Sequence, residues 1–206
     1  MLKRLLRATF VALLFPFFLQ ASFILKNSNL KPEAVSLIEK MGTELTQKTN
    51  ISVYLLDTNE SFPIGFNFVE YTKKYSKEMN QPSILFIFAP QAKITAITEI
   101  TGRVALVPSE DTLRKLYDSS PVQNAVLDVI TVLDKNSISD KYNIGMVQGY
   151  SELCDQIADA KDVELMSTIP NDTHYVILGF RVILLIGLIL VAWIYFFEPI
   201  LLRFKK

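Results

Sequence analysis

The sequence predicts an α/β fold, a three-layer α/β/α domain with a mixed sheet, on a chain that also carries one C-terminal transmembrane helix. Three observations predict it: apolar segments at both ends too uniform for a small core, an apolar run at 83–89 suited to burial on both faces, and amphipathic helical stretches interleaved with strands. Of the 206 residues, about 150 remain between the apolar ends, enough for one ordinary core.

Lys3, Arg4 and Arg7 precede an apolar run at 8–19 that contains Phe10, Val11, Leu13, Leu14, Phe15, Phe17 and Phe18. Basic residues followed by such a run are the n-region and h-region of an export signal. Ala21 offers a small residue for cleavage, so residues 1–21 are expected to form a signal peptide. Leu19 departs from the small-x-small rule two positions earlier, and an uncleaved anchor is the alternative. Pro16 argues against reading the run as a buried helix.

The domain is expected over 22–159. Ala34, Leu37, Ile38, Met41 and Leu45 recur at helical spacing behind Pro32 and Glu33, predicting a helix over 31–48. Residues 51–56 then read as a strand ending at Asp57. After a turn containing Pro63 and Gly65, Asn67 stands three positions before Glu70, a reciprocal capping pattern, and Phe68, Tyr71, Tyr75 and Met79 line one side of a second helix. Residues 83–89 form the central strand, 90–93 a short connection and 94–100 a strand returning antiparallel. Three more helices are expected at 109–117 with a serine cap, at 121–133 behind Ser120, and at 141–158. Residues 160–174 read as a polar juxtamembrane linker.

Residues 182–197, VILLIGLILVAWIYFF, contain no charge. At 1.5 Å per residue they span about 24 Å, or about 34 Å from residue 175 with Arg181 reaching the interface, against a hydrocarbon core of about 30 Å. The predicted span is therefore 175–197. Trp193, Tyr195, Phe196 and Phe197 form an interfacial girdle, and Arg203, Lys205 and Lys206 make 198–206 a basic tail. By the positive-inside rule that tail is cytoplasmic, which sets the domain in the periplasm or extracytoplasmic space of a single-pass inner (cytoplasmic) membrane protein.

Lysine plus arginine equals aspartate plus glutamate at 21 each, so no net field draws nucleic acid. No GxGxxG or GxxxxGK[ST] loop is present, which argues against a nucleotide, and no cofactor is expected. Cys154, the single cysteine, falls on an apolar stripe where a thiol acts as a small hydrophobe, and His174, the single histidine, falls beside the membrane segment. The remaining candidates for ligand binding are Asp57 at a strand end, where open α/β sheets bind ligands, with Glu99 and Arg103 at the end of the hairpin. No dense acidic run offers the several oxygens that a hard cation requires, so no metal site is assigned.

Residues 30–33 (LKPE), 45–54 (LTQKTNISVY), the strand and hairpin of 83–100, and 140–146 (DKYNIGM) together resemble the TPM-domain family of thylakoid-lumen phosphatase-like and photosystem-repair-like proteins, in a membrane-anchored form. The resemblance covers about 30–159. It implies an α/β domain held outside the cytoplasm that assists or modulates a membrane protein complex, with a metal-assisted acid phosphatase-like hydrolase as the alternative. Where the family commonly places an aspartate-glycine pair before the central strand, this chain has Asn80, Gln81, Pro82 and Ser83. The expected partners are a lipid bilayer and a membrane protein complex.

Overall fold

The computed structural model describes residues 22–94, 101–169, 183–187, 189 and 193. They fall into two compact units that divide after Ser167. The first unit is an α/β domain with a four-stranded mixed sheet in the order β1-β2-β3-β4: β1 (Ile24–Lys26), β2 (Ser52–Asp57), β3 (Ser83–Lys93) and β4 (Thr101–Pro108). The first three strands are parallel, and β4 runs antiparallel to β3.

The helices are α1 (Pro32–Thr49), α2 (Phe68–Thr72), α3 (Ser119–Thr131) and α4 (Ile138–Asp159), with 3₁₀ turns at Lys73–Tyr75 and Asp111–Leu116. Pro32 occupies the first turn of α1, and Asn50 ends the helix in the left-handed region at φ 57°. Asn67 caps α2 by accepting from the N–H groups of Val69 and Glu70, while Glu70 itself pairs with Lys73 instead of reaching back. Asp118 caps α3 and Ser137 caps α4.

Alternation along the central strands builds two cores. Val53, Leu55, Ile84, Phe86 and Phe88 face α1, α3 and α4. Tyr54, Leu56, Leu85, Ile87 and Ala89 face Phe62 and Phe68, the latter on α2. Each large side chain buried in this way contributes about 1.5–3 kcal/mol. The two helical glycines Gly145 and Gly149, one turn apart on α4, let α3 approach closely: a Cβ on Gly149 would stand 2.4 Å from Val126 Cγ2.

Several local expectations shift. The hairpin is antiparallel, but β3 continues to Lys93 and its partner is 101–108, not 94–100. Pro90 is accommodated at the register shift between Ala89 and Lys93, and Ala92 is fully buried, so the segment expected to be a connection belongs to the strand. Residues 95–100 lie outside the described residues. Ser109 closes the sheet instead of capping a helix: its N–H donates to Ser83 O at 2.8 Å and its Oγ accepts from Ser83 N at 3.0 Å. In place of the α-helix expected at 109–117, Asp111–Leu116 forms a short 3₁₀ turn.

The segment expected to open a free linker at Ala160 packs against the domain. Val163 N donates to Ala158 O, Val163 and Leu165 lie against the core, and Lys48 Nζ donates to Glu164 O at 2.6 Å.

In the second unit, residues 183–187 are helical. Ile183, Leu184, Leu185 and Ile186, which together circle the helix, are each more than half exposed. Among the described residues no helix is long and apolar enough to cross a membrane, and most of the predicted span at 175–197 lies outside them.

Candidate functional site

The C-terminal ends of the parallel strands carry the densest polar network of the domain. Asp57 ends β2 and is fully buried, because its carboxylate is folded inward under the loop that follows β1. Its Oδ2 accepts from Ser28 N at 2.9 Å and from Asn29 N, and its Oδ1 accepts from Asn29 Nδ2 at 2.7 Å. Ser28 Oγ donates back to Asp57 O, and Asn29 and Asn59 exchange side-chain hydrogen bonds. Asn143 on α4 completes the loop: it accepts from Lys31 N at 2.6 Å and donates to Asn29 O at 2.9 Å, beside an ion pair of Lys31 with Asp140.

Alongside, Lys26 Nζ donates to Thr58 Oγ1 at 2.9 Å and pairs with Glu60, which also accepts from Tyr71 OH at 2.9 Å. The Lys74 ammonium lies 3.7 Å from the centroid of the Tyr71 ring. The hydrogen bond from Lys26 holds the Glu60 carboxyl below the usual range despite its partial burial, and the same bond raises Lys26. Burial pushes the Tyr71 phenol up, reinforced by Tyr75 and Glu60.

Asp57 and Arg103 do not meet. Asp57 lies in register with Phe88, on the sheet face covered by α1 and α4, whereas Arg103 lies in register with Ala89, on the opposite face. Arg103 stacks its guanidinium 4.6 Å from the Phe68 ring centroid and donates to Phe66 O. Glu99 and His174 lie outside the described residues. Cys154 is fully buried, and burial, reinforced by Asp155 and Glu44, pushes its thiol well above the ordinary value, so it packs as an apolar group. Among the described residues no group of three or more His, Cys, Asp or Glu side chains is placed to hold a metal ion.

A second polar surface runs along the outer face of α1. Ser36, Lys40, Thr43 and Gln47 line a groove of about 570 Å³ with Glu39, Glu44, Met166 and Ser167. Glu39 accepts from Ser22 Oγ at 2.6 Å and from Phe23 N at 3.1 Å, which fastens the start of the described chain. Glu44 accepts from Met166 N at 2.9 Å, from Ser167 N at 2.8 Å and from Ser167 Oγ, which fastens the end of the first unit. Lys48 pairs with Glu44 at 2.8 Å, a spacing of four that the sequence displays. No local pattern displays the attachment of Glu44 to Ser167, because 123 positions separate them.

Burial opposes ionisation of Glu44, but Lys48, the Ser167 hydroxyl and the two backbone N–H groups outweigh it and hold the carboxyl at about 2 instead of 4.5. Because the folded-state value is the lower one, the stabilisation is complete above about pH 4.5 and is lost as pH falls through about 2, a swing of roughly 2–3 kcal/mol. Acid melts of the wild type and of Glu44→Gln should therefore converge below pH 2 and diverge above pH 4.5. Parallel curves would contradict the assignment.

No family model matches the chain, and no curated protein matches it.

Proposed function

We propose that this chain is a single-pass inner-membrane protein of TPM-like α/β/α build. In this reading its domain is an extracytoplasmic interaction module that assists or modulates a membrane protein complex. The observation that carries the reading is that both ends of the described domain are fastened to one helix, α1. Glu39 and Glu44, about 7.5 Å apart along α1 by helical rise, hold Ser22–Phe23 and Met166–Ser167 respectively. Ser22 and Ser167, which lead toward the two apolar sequences, are thus both held on α1, which supports attachment of the domain to one bilayer through them. The all-round exposure of Ile183, Leu184, Leu185 and Ile186 supports lipid as their surroundings.

With Ser167 fastened, the free tether to residue 175 is short, at most about 25 Å when fully extended. The module therefore works close to the membrane surface, at high effective concentration toward neighbours in the same bilayer.

The α3–α4 connection carries an exposed apolar edge. Leu133 is fully exposed, with Leu127, Val132 and Ile138 about half exposed around the α3–α4 connection. Lys141 holds this connection in shape: its buried ammonium donates to Val132 O and pairs with Asp134 at 3.2 Å. In this reading the edge is the surface that meets the membrane protein complex.

Crosslinking in native membranes followed by co-purification tests the proposal. Leu133→Asp, at a position with nothing to pack against, should leave the melting temperature unchanged and reduce recovery of the crosslinked partner severalfold. Recovery of the wild-type protein alone in mild detergent, or release of the intact chain by carbonate, would overturn the reading. Turnover of a phosphate ester by the intact protein, lost on removal of divalent metal, would favour the hydrolase instead.

A further inference from the structure

Glu39, like Asp57, is a carboxylate held by neutral donors alone. It is half-buried, it uses both oxygens, and every donor it has is neutral: Ser22 Oγ at 2.6 Å on Oε1, and Phe23 N at 3.1 Å and 3.2 Å on Oε1 and Oε2. Glu44, Glu60, Asp134 and Asp140 each have a lysine partner, yet among the described residues no lysine or arginine is paired with Glu39. Charge-assisted hydrogen bonds are stronger than those from neutral donors, so a cation brought beside Glu39 would be held there.

Cleavage of the export signal would supply such a cation one residue away. Ser22 directly follows the small residue Ala21 that ends the export signal. From Phe23 onward the chain is committed to the fold. The Phe23 ring is buried against Tyr54 at 5.7 Å and sits where Gly42 leaves room, its Cγ 2.7 Å from where a Cβ on Gly42 would be, and its carbonyl accepts from Leu55 N at 2.7 Å. The chain is thus fastened to the fold immediately after the Ala21–Ser22 bond.

We propose that the Ala21–Ser22 bond is cleaved and that Glu39 is the receptor for the new N-terminus, so that processing completes an ion pair which locks the start of β1 onto α1. The step is a hydrolysis carried out by a membrane signal endopeptidase of the export machinery. Water adds across the amide, the C–N bond breaks, Ala21 keeps the new carboxylate, and the Ser22 amine takes a proton to become an ammonium. The Ser22 side chain already reaches Glu39, so the ammonium arises within one residue of its counter-charge. The inference rests on the proposed export of the domain and on cleavage after Ala21, and it adds the residue that receives the new terminus.

The test uses the full chain purified from membranes, with its N-terminus read by mass spectrometry and its domain located by a reporter fused after Asp159. The expected product begins at Ser22. In the wild-type protein, the pH dependence of acylation of the terminal amine should have its midpoint above the ordinary range of about 7.7–8.0. Glu39→Gln should return that midpoint to the ordinary range and raise the unfolding equilibrium constant of the processed chain by about fivefold. It should have a clearly smaller effect in an uncleaved Ala21→Leu chain. A different or intact N-terminus on an exported domain overturns the inference and leaves the export reading standing. An ordinary amine midpoint, or equal effects of Glu39→Gln in cleaved and uncleaved chains, overturns the capture. A reporter active only in the cytosol overturns the export reading itself.

Discussion

Asp57→Ala should lower the unfolding free energy of the domain by about 2–4 kcal/mol, although the substitution removes an acidic side chain from a strand end where acidic residues are usually expendable. The carboxylate accepts from two successive backbone N–H groups and from the Asn29 amide, and these donors lie in the loop that Asn143 ties to α4. Removing it leaves those donors without partners and releases the crossover from β1 into α1. Asp57→Asn should cost less but still destabilise, because an amide presents only one acceptor oxygen where three donors converge. Chemical denaturation of the purified protein measures both. The hydrolase alternative predicts something else, a normally stable Asp57→Asn protein that has lost turnover, so one melt and one assay separate a structural carboxylate from a chemical one.

Gly149→Ala should destabilise by about 1–3 kcal/mol, where the same exchange inside an ordinary helix stabilises by about 0.5–1 kcal/mol. The added methyl would meet Val126 Cγ2 at 2.4 Å and the Phe86 ring at 3.1 Å, both in the buried core, and neither is the free end of a long side chain. Room must come from moving α3 away from α4, which opens contacts along the whole crossing. Val126→Ala, which alone should cost about 1–3 kcal/mol as a cavity, should recover part of the loss when combined with Gly149→Ala. Strict additivity of the two substitutions would show that the close helix crossing is not what limits this position.

The α/β class with a mixed sheet is legible because side-chain period reports local structure directly. Ala34, Ile38, Met41 and Leu45 repeat at helical spacing and are all buried, and the unbroken apolar run from Ile84 to Phe88 lies between two covered faces. The short β1 leaves no such mark, since three residues beside the apolar N-terminal run carry no periodicity of their own. The returning strand is expected too early because Pro90 reads as punctuation, whereas a bulge absorbs it. Of the site candidates, Asp57 reads as exposed chemistry and is instead a fully buried acceptor, and Arg103 lies on the other face of the sheet. Glu39, Glu44, Glu60 and Lys141 escape a reading of the sequence because a charged residue looks the same there whether it is solvated or fastened to a distant segment.

By itself the sequence determined the elements that local chemistry dictates most directly: the long amphipathic helices, the central buried strands and the Asn67 cap. Tertiary structure alone decided which polar groups meet. The Tyr150 hydroxyl donates to the Val53 carbonyl across 97 positions, and Glu44 reaches Ser167 across 123. The physical reason is range. Hydrophobic period and capping act within a few residues and leave a mark on composition, whereas a hydrogen bond or ion pair between distant segments needs only one suitable atom at each end, and only the packed chain selects which atoms those are.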